Sequence, residues 1–273
     1  MNKIKIWVKK IPALYRTLRF VQKYTLDYIK NGYYKNMLIY FFCVCLGEKR
    51  ALKKYGFSKC RIYKSTAWRF GKGKDRAFRR YYAAYYNGTR TFVKISENDT
   101  TVKNEIKFAE YLKETSFPFV MQTVATDSNF NGGFDMLAME FCDGLKAFSL
   151  PEDTLGFEAL CDQFLTILDG LQSVKMVHAD IHKNNLMLKD DRLMLIDFGI
   201  SYSENMENTV NYVARPGTYY KEFDNKTRFY DDAYSFVKMI EKLSPPASFL
   251  EGEKYLKIVE RVGCYGFEVE LTS

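Results

Sequence analysis

The stretch His178-Ala-Asp180-Ile-His182-Lys-Asn-Asn185, followed twelve residues later by Asp197-Phe198-Gly199, constrains this chain more than any other part of it. It holds both of the protein's histidines. The Asp180 carboxylate can orient an attacking hydroxyl. The amide of Asn185 and the second carboxylate, Asp197, are hard oxygen ligands of the kind Mg2+ takes when it bridges nucleotide phosphates. A short apolar strand, Arg192–Ile196, delivers Asp197 to the same place. A zinc site built from His178, Asp180 and His182 is the rival reading, but it leaves Asn185, Asp197-Phe-Gly and Lys94 without a role.

Upstream, the pattern is that of strands. Arg61–Phe70 and Arg80–Tyr86 read as two strands, Asn87-Gly88 as a two-residue hairpin turn, and Thr91–Ser96 as a third strand. Residues 101–114 carry Val102, Ile106, Ala109, Tyr111 and Leu112 at helical spacing. Val120–Thr126 and Asp135–Phe141 follow as two more strands across the turn-rich Asn129–Gly133. The second half turns helical. Residues 154–173 form a buried helix leading into the His178 loop, another helix begins near Asp232, and a last one spans about 251–262.

Candidate nucleotide-binding groups fall at fixed places in this order. Gly71-Lys-Gly73-Lys-Asp-Arg76, between the first two strands, offers backbone N–H groups and positive charge to phosphates. Lys94 on the third strand can reach α- and β-phosphates. Glu105, eleven residues later on the helix, can hold Lys94 by an ion pair, with Glu110 as the other candidate partner. Met139-Glu140-Phe141-Cys142 ends the fifth strand, where backbone groups of Glu140 and Cys142 can meet an adenine and Met139 can line its pocket.

The formal charge of +8 is unevenly placed. Residues 1–94 carry 24 Lys/Arg against 3 Asp/Glu, and residues 95–273 carry 17 against 30. Such a split points to an anionic partner on one side. Residues 1–54 are basic and aromatic, with an apolar stripe from Ile4 to Val21 that Pro12 interrupts, then the ten apolar residues Met37–Leu46. Ten is half of what a bilayer span requires. This extension either lies on an anionic membrane surface or packs on the rest of the chain. A nucleic-acid partner is not expected, because no recognised binding signature accompanies the charge. The six cysteines form no C-x-x-C pair, as in reduced cytoplasmic proteins. The N-terminus lacks the apolar run and cleavage site of a secretory signal.

Together these motifs resemble the protein-kinase-like superfamily over roughly residues 61–245. The resemblance implies an α+β, two-lobed kinase-like fold. It would have a five-stranded antiparallel small lobe (60–142), a reduced, mainly helical large lobe (143–273) and a basic helical extension (1–59). It implies use of ATP and Mg2+. Asp180, His182 and Lys94 would be the catalytic groups, and Asn185 and Asp197 the metal ligands. His182 would hydrogen-bond the γ-phosphate, His178 would hold the loop, and Asp232 would brace the loop from behind. The residue before Asp180 is Ala179 rather than the usual arginine, no Ala-Pro-Glu follows Gly199, and 41 residues remain after Asp232. In these respects the chain departs from typical protein kinases. His-Ala-Asp-Ile-His-Lys-x-Asn is similar to the lipopolysaccharide core heptose kinases. That similarity implies phosphorylation of a sugar hydroxyl on an anionic glycolipid, from the cytoplasmic face of the membrane. The alternatives are an atypical Ser/Thr or Tyr protein kinase, a kinase of soluble small molecules, and a non-catalytic nucleotide-binding scaffold.

Overall fold

The computed structural model describes residues 46–64, 78–97, 99–142, 145–146, 154–206, 219–222, 227–243 and 245–270. Three sequence readings lie outside them: the stripe and apolar run before Leu46, the second half (65–70) of the strand expected over Arg61–Phe70, and the Gly71–Arg76 loop. The chain divides into two compact units, Met1–Gly56 and Phe57–Ser273. The first unit contains helix α1, Leu46–Tyr55, with Glu48 in its first turn and Lys53 and Lys54 in its last, each complementing the helix dipole.

The second unit begins with β1 (Phe57–Lys64), ahead of the expected boundary at 60. β2 (Phe78–Tyr86) and β3 (Thr89–Glu97) form a hairpin. Its turn residues Asn87 and Gly88 have φ of 48° and 83°, the paired left-handed conformations a two-residue hairpin loop requires. Helix α2 (Thr100–Glu114) starts where the Asp99 side chain accepts the Thr101 N–H at 3.1 Å. β4 (Thr123–Phe130) and β5 (Phe134–Glu140) complete one antiparallel sheet of order β1-β2-β3-β5-β4. The small lobe is therefore the expected five-stranded antiparallel sheet with one helix.

Beyond β6 (Leu145–Lys146), helix α3 (Thr154–Ser173) runs to β7 (Met176–Val177), and the His178 loop follows. β8 (Leu186–Lys189) and β9 (Arg192–Leu195) form the hairpin that delivers Asp197, and β10 (Tyr202–Ser203) pairs back onto β7. β11 (Tyr219–Glu222) and β12 (Thr227–Tyr230) precede helices α4 (Asp232–Glu241), α5 (Ala247–Leu250) and α6 (Glu253–Glu260). The large-lobe core joins these helices, with Phe164 of α3 stacked on Phe236 of α4 at 3.9 Å between centroids. Phe108 and Leu112 of α2 belong to the same core as Phe198, so the helix of the small lobe is anchored beside the Asp197 turn.

The large lobe also carries a three-stranded sheet, β11-β12-β13, closed by β13 (Phe267–Glu270). The sequence reading missed it, although Phe267-Glu-Val-Glu270 alternates apolar and acidic residues in the manner of a half-buried strand. Gly266 permits the join: a Cβ there would sit 2.3 Å from the Tyr230 carbonyl oxygen. Among the described residues no helix is long and apolar enough to cross a membrane.

Candidate functional site

Lys94 and Glu105 are in contact. β3 places Lys94 on the cleft side of the sheet, and the second turn of α2 brings Glu105 opposite it. The Lys94 ammonium donates to Glu105 Oε2 and, at 3.2 Å, to Asp197 Oδ1. The first two side chains are 5% and 4% exposed, whereas Asp197 is 43% exposed and faces the cleft. Burial works against the Lys94 charge, but Asp197 and Glu105 outweigh it and push Lys94 above its ordinary pKa. The ammonium in turn holds Asp197 below the usual carboxylate range. Glu110, the other candidate partner, is exposed and accepts from Thr126 instead.

Asn185 donates through Nδ2 to Asp180 Oδ2 and to the Asp180 carbonyl, both at 3.0 Å. The amide nitrogen is thereby engaged, and Oδ1 is the atom it can offer a cation. The Asn185 carbonyl accepts the Ile196 N–H at 3.0 Å, which ties the His178–Asn185 loop to the residue before Asp197. His182 Nδ1 accepts from the Asn184 N–H at 3.1 Å, so Nε2 carries the proton, 3.5 Å from Asp180 Oδ2. Two oxygen donors, Asn185 and Asp197, with a cation and a carboxylate beside them, fit a Mg2+-bound nucleotide triphosphate.

Two residues hold this loop from behind. Asp232 is buried and accepts the His178 and Ala179 N–H groups at 2.6 and 2.9 Å. Burial drives its pKa up to about 7, with those two bonds opposing the rise. His178 is fully buried. Its Nδ1 accepts the Asp180 N–H at 3.2 Å, so Nε2–H donates to the Ile196 carbonyl at 3.1 Å, and its ring packs on Phe198 at 4.6 Å. Burial lowers its pKa and keeps it neutral. With both ring nitrogens engaged within the protein, His178 is no zinc ligand. Among the described residues no group of three or more His, Cys, Asp or Glu is arranged for a metal. Ala179 and Asp197 both adopt left-handed φ, 62° and 69°, a cost typical of residues whose direction matters.

The sequence reading missed a brace on α2. Arg79 of β2 pairs with the Asp99 carboxylate and with Thr101 Oγ1. Asn104 Nδ2 lies 3.2 Å from both the Gly199 and Ser201 carbonyls. A Cβ on Gly199 would meet the Thr101 carbonyl oxygen at 3.0 Å and Thr101 Cβ at 3.1 Å, so a glycine lets the two segments touch. Only Asp99 carried a signal, as an N-cap before an apolar helix.

At the other end of the cleft, Met139 lies across from Phe92 in the β3–β5 register and packs against the Val102–Ile106–Leu137 cluster. The Glu140 N–H donates to the Gln122 carbonyl at 2.8 Å, which leaves its carbonyl as the backbone group for a purine edge. The Glu140 carboxylate pairs with Lys189 of β8 at 2.5 Å. Cys142, partly buried, closes the segment. Gly71 and Gly73 lie outside the described residues.

Comparison with known proteins gives the family. A model of the RIO domain matches residues 57–227. A probable bifunctional tRNA threonylcarbamoyladenosine biosynthesis protein of Methanosarcina mazei is 28% identical over 126 residues. That match covers 46% of this chain and about a fifth (21%) of the relative's length. The solved structure of the Cydia pomonella granulovirus kinase PK-1 is similar at 18% identity over 73% of each chain, with a TM-score of 0.49.

Neither sequence match is to a lipopolysaccharide heptose kinase, and the expected function on a glycolipid sugar is thereby overturned. The physical reason is that the residue types and spacing of Asp180, Asn185 and Asp197 suit phosphoryl transfer and say nothing of the acceptor. The expected acceptor rests on the wording of one loop and on a basic extension that lies largely outside the described residues. The kinase-like fold and the use of ATP and Mg2+ stand. With the RIO domain model spanning more than half of its length and every group from Lys94 to Asp197, the chain belongs to the RIO domain family of kinase-like phosphotransferases.

Proposed function

We propose that this protein is an atypical protein kinase that transfers the γ-phosphate of Mg·ATP to a Ser, Thr or Tyr hydroxyl. The observation that carries the reading is the RIO domain match over residues 57–227, which encloses Lys94, Glu105, Asp180, Asn185 and Asp197 in one cleft. Lys94, fixed by Glu105, would bind α- and β-phosphate oxygens. Asn185 Oδ1 and Asp197 would hold Mg2+, which when bound offsets charge on the phosphates. Asp180 would accept a hydrogen bond from the incoming hydroxyl and orient it, with Asn185 Nδ2 fixing its carboxylate. His182 Nε2–H, beside Asp180, would steady a phosphate oxygen. Most of the acceleration then comes from positioning and electrostatics.

The missing Ala-Pro-Glu after Gly199, and Ala179 where an arginine is usual, support an atypical protein kinase over a standard one. The Methanosarcina relative supports a second reading of biological context, in which this phosphotransferase acts in tRNA threonylcarbamoyladenosine biosynthesis.

The test is transfer of labelled γ-phosphate from Mg·ATP into separated protein, glycolipid and small-molecule fractions of cell extract. Label in protein, lost with Asp180→Asn, is the expected result. Label confined to a non-protein fraction would refute a protein acceptor.

A further inference from the structure

The cleft-facing side of the small-lobe sheet carries aromatic rings where kinase-like sites have room. Strand residues two apart share a face, so Phe92 lies on the side of Lys94, about 7 Å back along β3. Kinases commonly carry a small alanine at that position, in the wording Val-Ala-Ile-Lys. Here it reads Thr91-Phe92-Val93-Lys94. The ring is held on three sides. It stacks on Tyr81 at 5.4 Å and 23°, meets Tyr63 edge-on at 5.8 Å, and meets Phe141 at 6.3 Å. Small Ala83 lies across from it in the register, which makes room for this arrangement. Tyr63 meets Phe141 at 5.2 Å, and the Arg90 guanidinium lies 3.9 Å over the Phe141 ring.

This cluster is not sealed. Phe92 and Phe141 are partly exposed and Tyr63 is 56% exposed. It adjoins Met139 and Glu140, at the end of the cleft opposite Asp197. Bulky, partly wet aromatic faces beside a phosphate-binding lysine are what a nucleobase stacks on.

We propose that Phe92, with Tyr63, is the nucleobase-stacking surface of this cleft, and that it makes the site tolerant of purine identity. The Phe92 ring stands at the position where kinases commonly carry alanine, so the base would be held by its π-face. At its edge, the Glu140 carbonyl is the backbone group that residue retains, and a carbonyl accepts from an adenine amino group or from guanine N–H groups alike. The site therefore takes Mg·GTP about as well as Mg·ATP. This inference rests on nucleotide use and not on the identity of the acceptor.

The test is equilibrium binding of Mg·ATP, Mg·GTP and Mg·tripolyphosphate to the full chain. Wild type should bind the two nucleotides within about threefold. Phe92→Ala should weaken both by about tenfold or more, the usual scale of base–aromatic stacking, and leave tripolyphosphate unchanged. Tyr63→Ala should weaken both severalfold. It also decides the matter if Phe92→Ala fails to fold, since its ring is more than half exposed. Unchanged or tighter ATP binding in the variants would show that the rings merely fill space. Equal loss of tripolyphosphate binding would place their effect on the phosphate end. A wild-type preference for ATP above about thirtyfold would show that the base is read at its edge. Each of these results would overturn the proposal. A wild type that binds tripolyphosphate but neither nucleotide would do so as well, while a chain that binds none of the three would refute nucleotide use itself.

Discussion

The two ends of the cleft are built on different principles. The phosphate end is made of charges, and its Lys94–Glu105 pair is buried beneath the more exposed Asp197. The base end is made of rings that remain partly in water: Tyr63, Phe92 and Phe141. Charge is costly to bury and stays in place only where each group is answered. The phosphate end therefore admits little substitution. Aromatic stacking is tolerant of partner and geometry, so the base end can vary. The strict chemistry sits where phosphate must be placed, and the adjustable chemistry sits where the nucleotide is merely held.

Lys94→Met should produce the largest effect. It leaves Glu105 buried and Asp197 without its ammonium, and removing one member of a buried pair costs about 3–5 kcal/mol. Urea unfolding should show that loss together with abolished Mg·ATP binding. A variant as stable as wild type would show that the pair is not an obligate part of the lobe.

Next comes the pH dependence of the loop's rear support. Asp232 has its folded pKa raised from 3.8 to about 7. The folded state therefore holds a proton that the unfolded chain has released. This stability is fully present below about pH 4 and is lost as pH rises through 7, a loss on the order of 4 kcal/mol. In Asp232→Asn the stability curve between pH 4 and 7 should be flatter than in wild type. Parallel curves would remove Asp232 from the account.

Gly199→Ala, which drives a Cβ into Thr101, should cost about 1–3 kcal/mol and loosen α2 against the Asp197 turn. Amide exchange at the start of α2 should rise, and an unchanged rate would show that the contact yields easily. The smallest effect belongs to the base end. Lys189→Ala breaks a half-exposed pair with Glu140 and should change stability by less than about 1 kcal/mol. A larger loss would mean that the base end is as tightly specified as the phosphate end.

The same contrast explains what could be seen in the sequence. Asp180, Asn185 and Asp197 stand out because their residue types and spacing lie within twenty residues of chain. Lys94 and Glu105 belong to a strand and the helix after it, and the order of elements put them together. The small lobe followed from alternation and from Asn87-Gly88. Tyr63, Phe92 and Phe141 come from β1, β3 and the end of β5, so their meeting depends on register. β1 carries irregularities after Ser58 and Ile62 that no periodicity announces. Arg79 reaches Asp99 across the sheet for the same reason. The three-stranded sheet escaped notice because its strands are four residues long and 37 positions separate Tyr230 from Phe267. The acceptor was illegible for a deeper reason: the residue types that suit phosphoryl transfer are not those that choose its destination.

The account turns on Asp180 as the group that orients an acceptor hydroxyl. The direct measurement compares Asp180→Ala with wild type in two assays on the same preparations, Mg·ATP affinity and labelling of protein from γ-labelled ATP. The account predicts an affinity within about threefold of wild type and a turnover lower by three orders of magnitude or more. Near-normal turnover would contradict it, because Asp180 would then have no part in placing the hydroxyl.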